Sequence, residues 1–200
     1  NLDTHPSIEA MIVDRADEIA YVSHDIDDGI NSGLITFDDL KESELVNEIL
    51  QKVKAEDIEE SDGEMFRYRF SSHLINHLVY SLLEHSRANI KNFDVQSATL
   101  SAQEQLPIKM EKSLETSLKK LKKLLFQKLY QHQNIITKMY AGSQAVKGLY
   151  KGLIEEDKML PKYYYEQLNY RKKHRVVADF IASLSDRHAL SFFREMYGKI

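Results

Sequence analysis

Apolar residues recur every three or four positions from Ile8 to Ile30, and that period constrains the fold more than any other feature of the chain. At about 100° per residue, a helix here brings Ile8, Ile12, Ala16, Ile19, Val22, Ile26 and Ile30 to one side. Asp14, Asp17, Tyr21, His24, Asp25 and Asp28 then share an arc of about 100° on the other side. Like charges three or four residues apart cost a helix about 0.2–0.5 kcal/mol per pair, so the acidic face calls for an offset. Water around a solvated face is one offset; a divalent cation or polyhydroxyl ligand held by oxygen and imidazole groups is the other. The tyrosine and histidine among the aspartates favour a cleft.

The same period predicts the rest of the chain. Ser7 is placed to cap the first helix, with Glu9 in its first turn. Glycines 29 and 33 mark its end near Asp28. Thr36 and Asp39 form a capping box, and a second helix follows through Leu45, Val46, Ile49, Leu50 and Val53. The charged stretch Lys54–Glu64 reads as a loop and Met65–Ile90 as a third helix with Phe66, Phe70, Leu74, Leu78 and Leu82 in register. His73 and His77 stand one turn apart, but Leu74 follows His73, so no zinc-protease motif is present and a polar face is expected.

Asn92–Pro107 is polar and aperiodic, a long loop. From Met110 a basic helix carries Leu114, Leu118, Leu121, Leu125 and Leu129 on one stripe, with Lys112, Lys119, Lys120, Lys122, Lys123 and Lys128 elsewhere. A helix spans roughly Gln133–Glu155, with Gly142, Gly148 and Gly152 inside it weighing against its continuity, and Leu160-Pro161 breaks it. Lys173–Tyr197 reads as two helices or one bent helix, with Asp179 and Asp186 favoured as polar struts within the bundle over distant parts of a ligand site. Seven glycines and three prolines in 200 residues leave little for a turn-rich all-β fold. All-α is therefore the expected class.

A net charge of −4 gives no global case for nucleic acid, although local basic patches leave it open. The chain has no cysteine, which excludes disulfides and cysteine-ligated zinc. No apolar run approaches the ~20 residues that span a bilayer, so no membrane is expected and the cytoplasm is the default location. Asp25-Ile26-Asp27-Asp28-Gly29-Ile30-Asn31 looks like a calcium loop, but its glycine falls at the fifth position and Thr36 stands at the twelfth, so the reading fails.

Asp17-Glu18-Ile19-Ala20-Tyr21 followed by His24-Asp25-Ile26-Asp27-Asp28-Gly29 resembles the fourth motif of the HD-domain deoxynucleoside triphosphate triphosphohydrolases, the dGTPase-like family. Thr4–Ala10 is similar to the segment before that motif, Leu125–His132 to the family's helix ending in Tyr-x-His, and Arg175–Leu190 to its C-terminal signature. Family members bind metal with a first His, a His-Asp pair on a later helix and a final Asp. Only the last has a counterpart here, Asp17; the His24-Asp25 pair follows Asp17 on the same helix and is not the family's pair.

The resemblance implies an HD-domain-like helical bundle and the C-terminal part of a longer enzyme. Residues 1–60 would be the end of the catalytic core and 61–200 a helical region completing the nucleotide site. It implies hydrolysis of a dNTP, dGTP or another, to deoxynucleoside and triphosphate, inactive without the N-terminal half. Asp17 would be the catalytic metal ligand, for Mg²⁺ or Mn²⁺ and tolerably for Fe or Co, with most ligands outside this chain. Tyr21 would lie beside phosphate or sugar, Asp25 would accept from the 3′-hydroxyl, and Tyr130 would pack on the deoxyribose at C2′. Lys122 would face the nucleotide where relatives commonly place Arg, and Gln131 is a weaker candidate for the base. A homo-oligomer is expected. Another HD-type phosphohydrolase and a non-catalytic helical interaction module are the alternatives.

Overall fold

A computed structural model of the chain describes residues 6–91 and 108–198, and among these every regular element is helical. The loop expected over Asn92–Pro107 lies outside the described residues, as do Thr4 and His5. Two compact units divide the chain, Asn1–His132 and Gln133–Ile200. The expected boundary near residue 60 concerned where a catalytic core would end, which compactness does not decide. Among the described residues no helix is long and apolar enough to cross a membrane.

The first unit holds α1 (Ile8–Asn31), α2 (Glu44–Lys54), α3 (Glu64–Lys91) and α4 (Lys112–Leu125), the last continued by a π-helical turn, Phe126–Tyr130. Ser7 caps α1 by accepting from the Ala10 amide at 3.3 Å. The buried stripe of α1 is Met11, Ile19, Val22, Ile26 and Gly29. This corrects the expected face: Ile12 is 47 % exposed and Ala16 is exposed too, while Met11 and Ser23 are buried in α1.

Gly29 does not end α1, as expected, but lies within it. A Cβ there would meet Ile35 Cδ1 at 2.9 Å and Leu129 Cδ1 at 3.3 Å, so glycine lets the returning chain and the end of α4 close on the helix. The left-handed residue that ends the turn is Gly33, at φ 69°. The Thr36–Asp39 box forms, with the Asp39 carboxylate accepting from the Thr36 amide at 2.8 Å. It opens a 3₁₀ turn, Asp38–Leu40, rather than α2, which Ser43 caps by accepting from the Val46 amide.

Phe66, Phe70, Leu74, Leu78 and Leu82 bury one side of α3 against α1 and α2. Phe37 sits edge-on to Phe66 at 5.3 Å. Five α4 leucines, 114, 118, 121, 124 and 125, are buried, and α4 packs on α1 and α2. Each such side chain is worth about 1.5–3 kcal/mol in apolar burial. The lysines stay on the outer side, as amphipathicity requires. His73 and His77 face carboxylates of the α2 side, His73 Nε2 lying 2.9 Å from Glu56 and His77 Nε2 3.7 Å from Glu48.

The second unit is built on α5 (Gln133–Glu155), with α6 (Lys162–Gln167), α7 (Lys173–Ser183) and α8 (Asp186–Tyr197). α5 runs unbroken through its three glycines. At Gly148 a Cβ would lie 2.3 Å from the ring of Phe193, so the missing side chain is what brings α8 against α5. Leu153, Leu160, Val176, Val177 and Phe180 form the core. Leu184 and the capping Ser185 separate α7 from α8, which settles two helices over one. Asp179 acts as the expected strut, pairing with Arg171 and, at 2.9 Å, with Arg175, whereas Asp186 is an exposed first-turn residue of α8.

Candidate functional site

Helical spacing puts Asp14, Asp17, Tyr21 and Asp25 in one line along α1, and α4 with its π turn runs beside it. The π turn is closed by the Gln131 amide donating to the Phe126 carbonyl at 3.1 Å. Such turns occur mostly as single inserts in α-helices, frequently at functional sites. Tyr130 stands on this one.

The phenol of Tyr130 donates to Oδ2 of Asp25 and shares a second hydrogen bond with the phenol of Tyr21. The Tyr21 and Tyr130 rings are parallel within 4°, with centroids 6.3 Å apart. Residues 105 and 109 positions apart in sequence thus form one cluster. Partial burial pushes the Asp25 carboxyl above its ordinary range; the Tyr130 donor opposes that, while the charge of Asp28 adds to it. Burial and the hydrogen bond to Asp25 raise the Tyr130 phenol far above the usual phenol range, so it stays a donor.

Tyr21 also lines a neighbouring cleft of about 660 Å³ with Asp14, Arg15, Asp17, Glu18 and Lys122. Lys122 Nζ lies 2.6 Å from Glu18 Oε1, and Arg15 Nη1 lies 2.6 Å from Glu18 Oε2. Arg15 reaches on to Glu115 of α4 at 3.2 Å. Burial pushes the Glu18 carboxyl up, but Lys122 and Arg15 together outweigh it and hold the group below its ordinary range.

The structure therefore brings Tyr21, Asp25 and Tyr130 together, and Asp17, Tyr21 and Lys122 into the adjoining cleft. Gln131 is not drawn in: it caps the π turn with its side chain exposed. Arg15 and Glu18 were not anticipated. Their signal was an opposite-charge pair three residues apart on either side of Asp17.

The Asp17 side chain is exposed to the cleft and makes no ion pair or hydrogen bond among the described residues, so its carboxylate is open to a cation. No group of three or more His, Asp or Glu among the described residues could hold a metal ion. Asp14 and Asp17 line the cleft and Glu18 is already paired with Arg15 and Lys122, so the cleft's carboxylates fall short of a complete donor set for a hard divalent cation. Asp25–Gly29 is helical, not a calcium loop. His24 points to a different cleft, with Asp27 and Arg67.

The chain is thus an all-α protein with a carboxylate-lined cleft beside a Tyr21–Asp25–Tyr130 cluster. Residues 108–195 match the family model described as phosphohydrolase-associated domain. Across 198 residues, 98 % of this chain and 54 % of the relative, it is 50 % identical to a deoxyguanosinetriphosphate triphosphohydrolase-like protein of Wolinella succinogenes. Proteins of the same description from Neorickettsia sennetsu and Geobacter sulfurreducens are 32 % and 30 % identical, over 98 % and 96 % of this chain and 52 % and 50 % of their own lengths. The chain spans about half the length of the curated relatives it matches, and its resemblance to the dGTPase-like family holds over nearly all of its residues.

Proposed function

We propose that this chain is part of a dNTP triphosphohydrolase, which adds water at the α-phosphorus and breaks its bond to O5′, releasing deoxynucleoside and triphosphate. The observation that carries the reading is the Tyr21–Asp25–Tyr130 cluster opening beside the cleft of Asp17 and Lys122. Asp25 is an acceptor already engaged by a hydroxyl, that of Tyr130, and a sugar 3′-hydroxyl would take the same role. The flat face of Tyr130 would stand against C2′ and disfavour a ribose hydroxyl. Lys122 would face the phosphate chain as a point charge.

Asp17 would supply one carboxylate ligand to a divalent cation, Mg²⁺ or Mn²⁺ by ligand hardness. When bound, such a cation withdraws charge from the α-phosphoryl oxygens. The remaining ligands belong to polypeptide outside the described residues, and the chain by itself would turn over no dNTP.

Product analysis tests the reading. The full-length protein given dGTP and the other dNTPs with Mg²⁺ or Mn²⁺ should release inorganic triphosphate and deoxynucleoside. Release of pyrophosphate or of successive phosphates would assign it to a different phosphohydrolase.

A further inference from the structure

Glu18 divides its two oxygens between two cations of unequal freedom. Arg15 is held at both ends, by Glu18 Oε2 at 2.6 Å and by Glu115 Oε1 at 3.2 Å, and Glu115 itself accepts from the Met110 amide at 3.0 Å. Among the described residues Lys122 is held by Glu18 Oε1 alone, and its side chain is 46 % exposed against 22 % for Arg15 and 19 % for Glu18. The lysine is thus the exchangeable member, carried on a flexible four-carbon stem, and the arginine the fixed one. A half-sheltered carboxylate left without a partner is costly, so Glu18 can release Lys122 only because Arg15 stays.

We infer that Arg15 is a positioning residue for anion capture: it neutralises Glu18, so that Lys122 can leave Glu18 for the phosphate chain of an anionic ligand in the cleft. This rests on the proposed role of Lys122 toward a nucleotide triphosphate. Glu18 then acts as an internal competitor whose grip on Lys122 is set by Arg15. Removing the competitor should tighten anion binding, and removing Arg15 should weaken it, whereas a scaffold role in joining α1 to α4 would make both losses weaken it.

The test is calorimetric binding of inorganic triphosphate to the full-length protein at fixed ionic strength. For pairs of this exposure, Glu18→Gln should tighten binding about two- to fivefold and Arg15→Gln weaken it by a similar factor. Arg15→Lys should weaken binding less than Arg15→Gln does, because it keeps a charge for Glu18 but loses the fork that also reaches Glu115. The double variant Glu18→Gln/Arg15→Gln should match Glu18→Gln alone, since no carboxylate remains for Arg15 to hold.

The inference is overturned if Glu18→Gln fails to tighten binding, or if Arg15→Gln still weakens it in the Glu18→Gln background. Lys122→Gln separates the two levels of the argument. If it binds as tightly as the wild type, the role of Lys122 toward phosphate has failed. If it binds weakly while Arg15→Gln matches the wild type, only the role of Arg15 has failed. Should Arg15→Gln not fold, the direction of the Glu18→Gln change decides alone.

Discussion

Tyr130→Phe isolates the hydrogen bond that ties the end of α4 to α1. The substitution keeps the ring and its parallel placement on Tyr21, and removes one donor to a partly buried carboxylate. A net hydrogen bond to a charged group is worth about 1.5–3 kcal/mol, and the partial exposure of Asp25 puts the expectation at the low end, about 1–2 kcal/mol. In a chain of this size that loss lowers the melting temperature by roughly 3–6 °C. Asp25→Asn removes the charge from the same contact, so the double variant closes a thermodynamic cycle. Urea unfolding should give a coupling energy of at least about 1 kcal/mol between the two positions. In Tyr130→Phe the Asp25 carboxyl should also titrate at higher pH than in the wild type, because the donor that opposes the effect of burial is gone. A coupling near zero, or an unmoved Asp25 titration, would refute the argument that these side chains act as one unit.

Three further outcomes follow from the same physics. Gly148→Ala should cost about 1–3 kcal/mol by forcing Phe193 aside, whereas Gly142→Ala, with open space around it, should gain about 0.5–1 kcal/mol in helix propensity; equal effects in urea unfolding would contradict the close approach of α8. The Arg69 guanidinium, ahead of His73, pulls the Glu56 carboxyl down to about 2 from 4.5, against a smaller opposing effect of burial. Its folded value is depressed, so the stability it contributes is present above pH 4.5 and lost as pH falls toward 2; the melting temperatures of Glu56→Gln and wild type should differ at neutral pH and converge over that window, and a gap that persists at its acid end would rule this out. If the full-length protein hydrolyses dNTPs as proposed, Tyr130→Ala should raise turnover of ribonucleotides relative to deoxynucleotides, measured as the ratio of kcat/KM values, and an unchanged ratio would remove Tyr130 from sugar selection.

The helices were legible because burial follows period: Leu74 and Leu78 of α3 and Leu118 and Leu121 of α4 are buried as their spacing requires. The face of α1 was less so. Spacing alone cannot say which part of a wide apolar arc finds partners, and Met11 took the place given to Ile12. Gly29 was read as a terminator because its local preference is visible, while the packing of Ile35 and Leu129 that requires it is not. In the candidate site, Asp17, Tyr21, Asp25, Lys122 and Tyr130 were found through motif resemblance. The charge exchange among Arg15, Glu18 and Lys122 depends on α4 lying beside α1, which no local pattern encodes.

The carboxylate of Asp17 bears the central claim, and its substitution in the full-length protein is the direct test. Asp17→Ala should leave the circular dichroism spectrum and melting temperature close to wild type, because the side chain is exposed and unpaired among the described residues. It should weaken binding of Mn²⁺, followed by electron paramagnetic resonance, and abolish release of triphosphate from dNTPs. Wild-type Mn²⁺ affinity with undiminished triphosphate release would contradict the account.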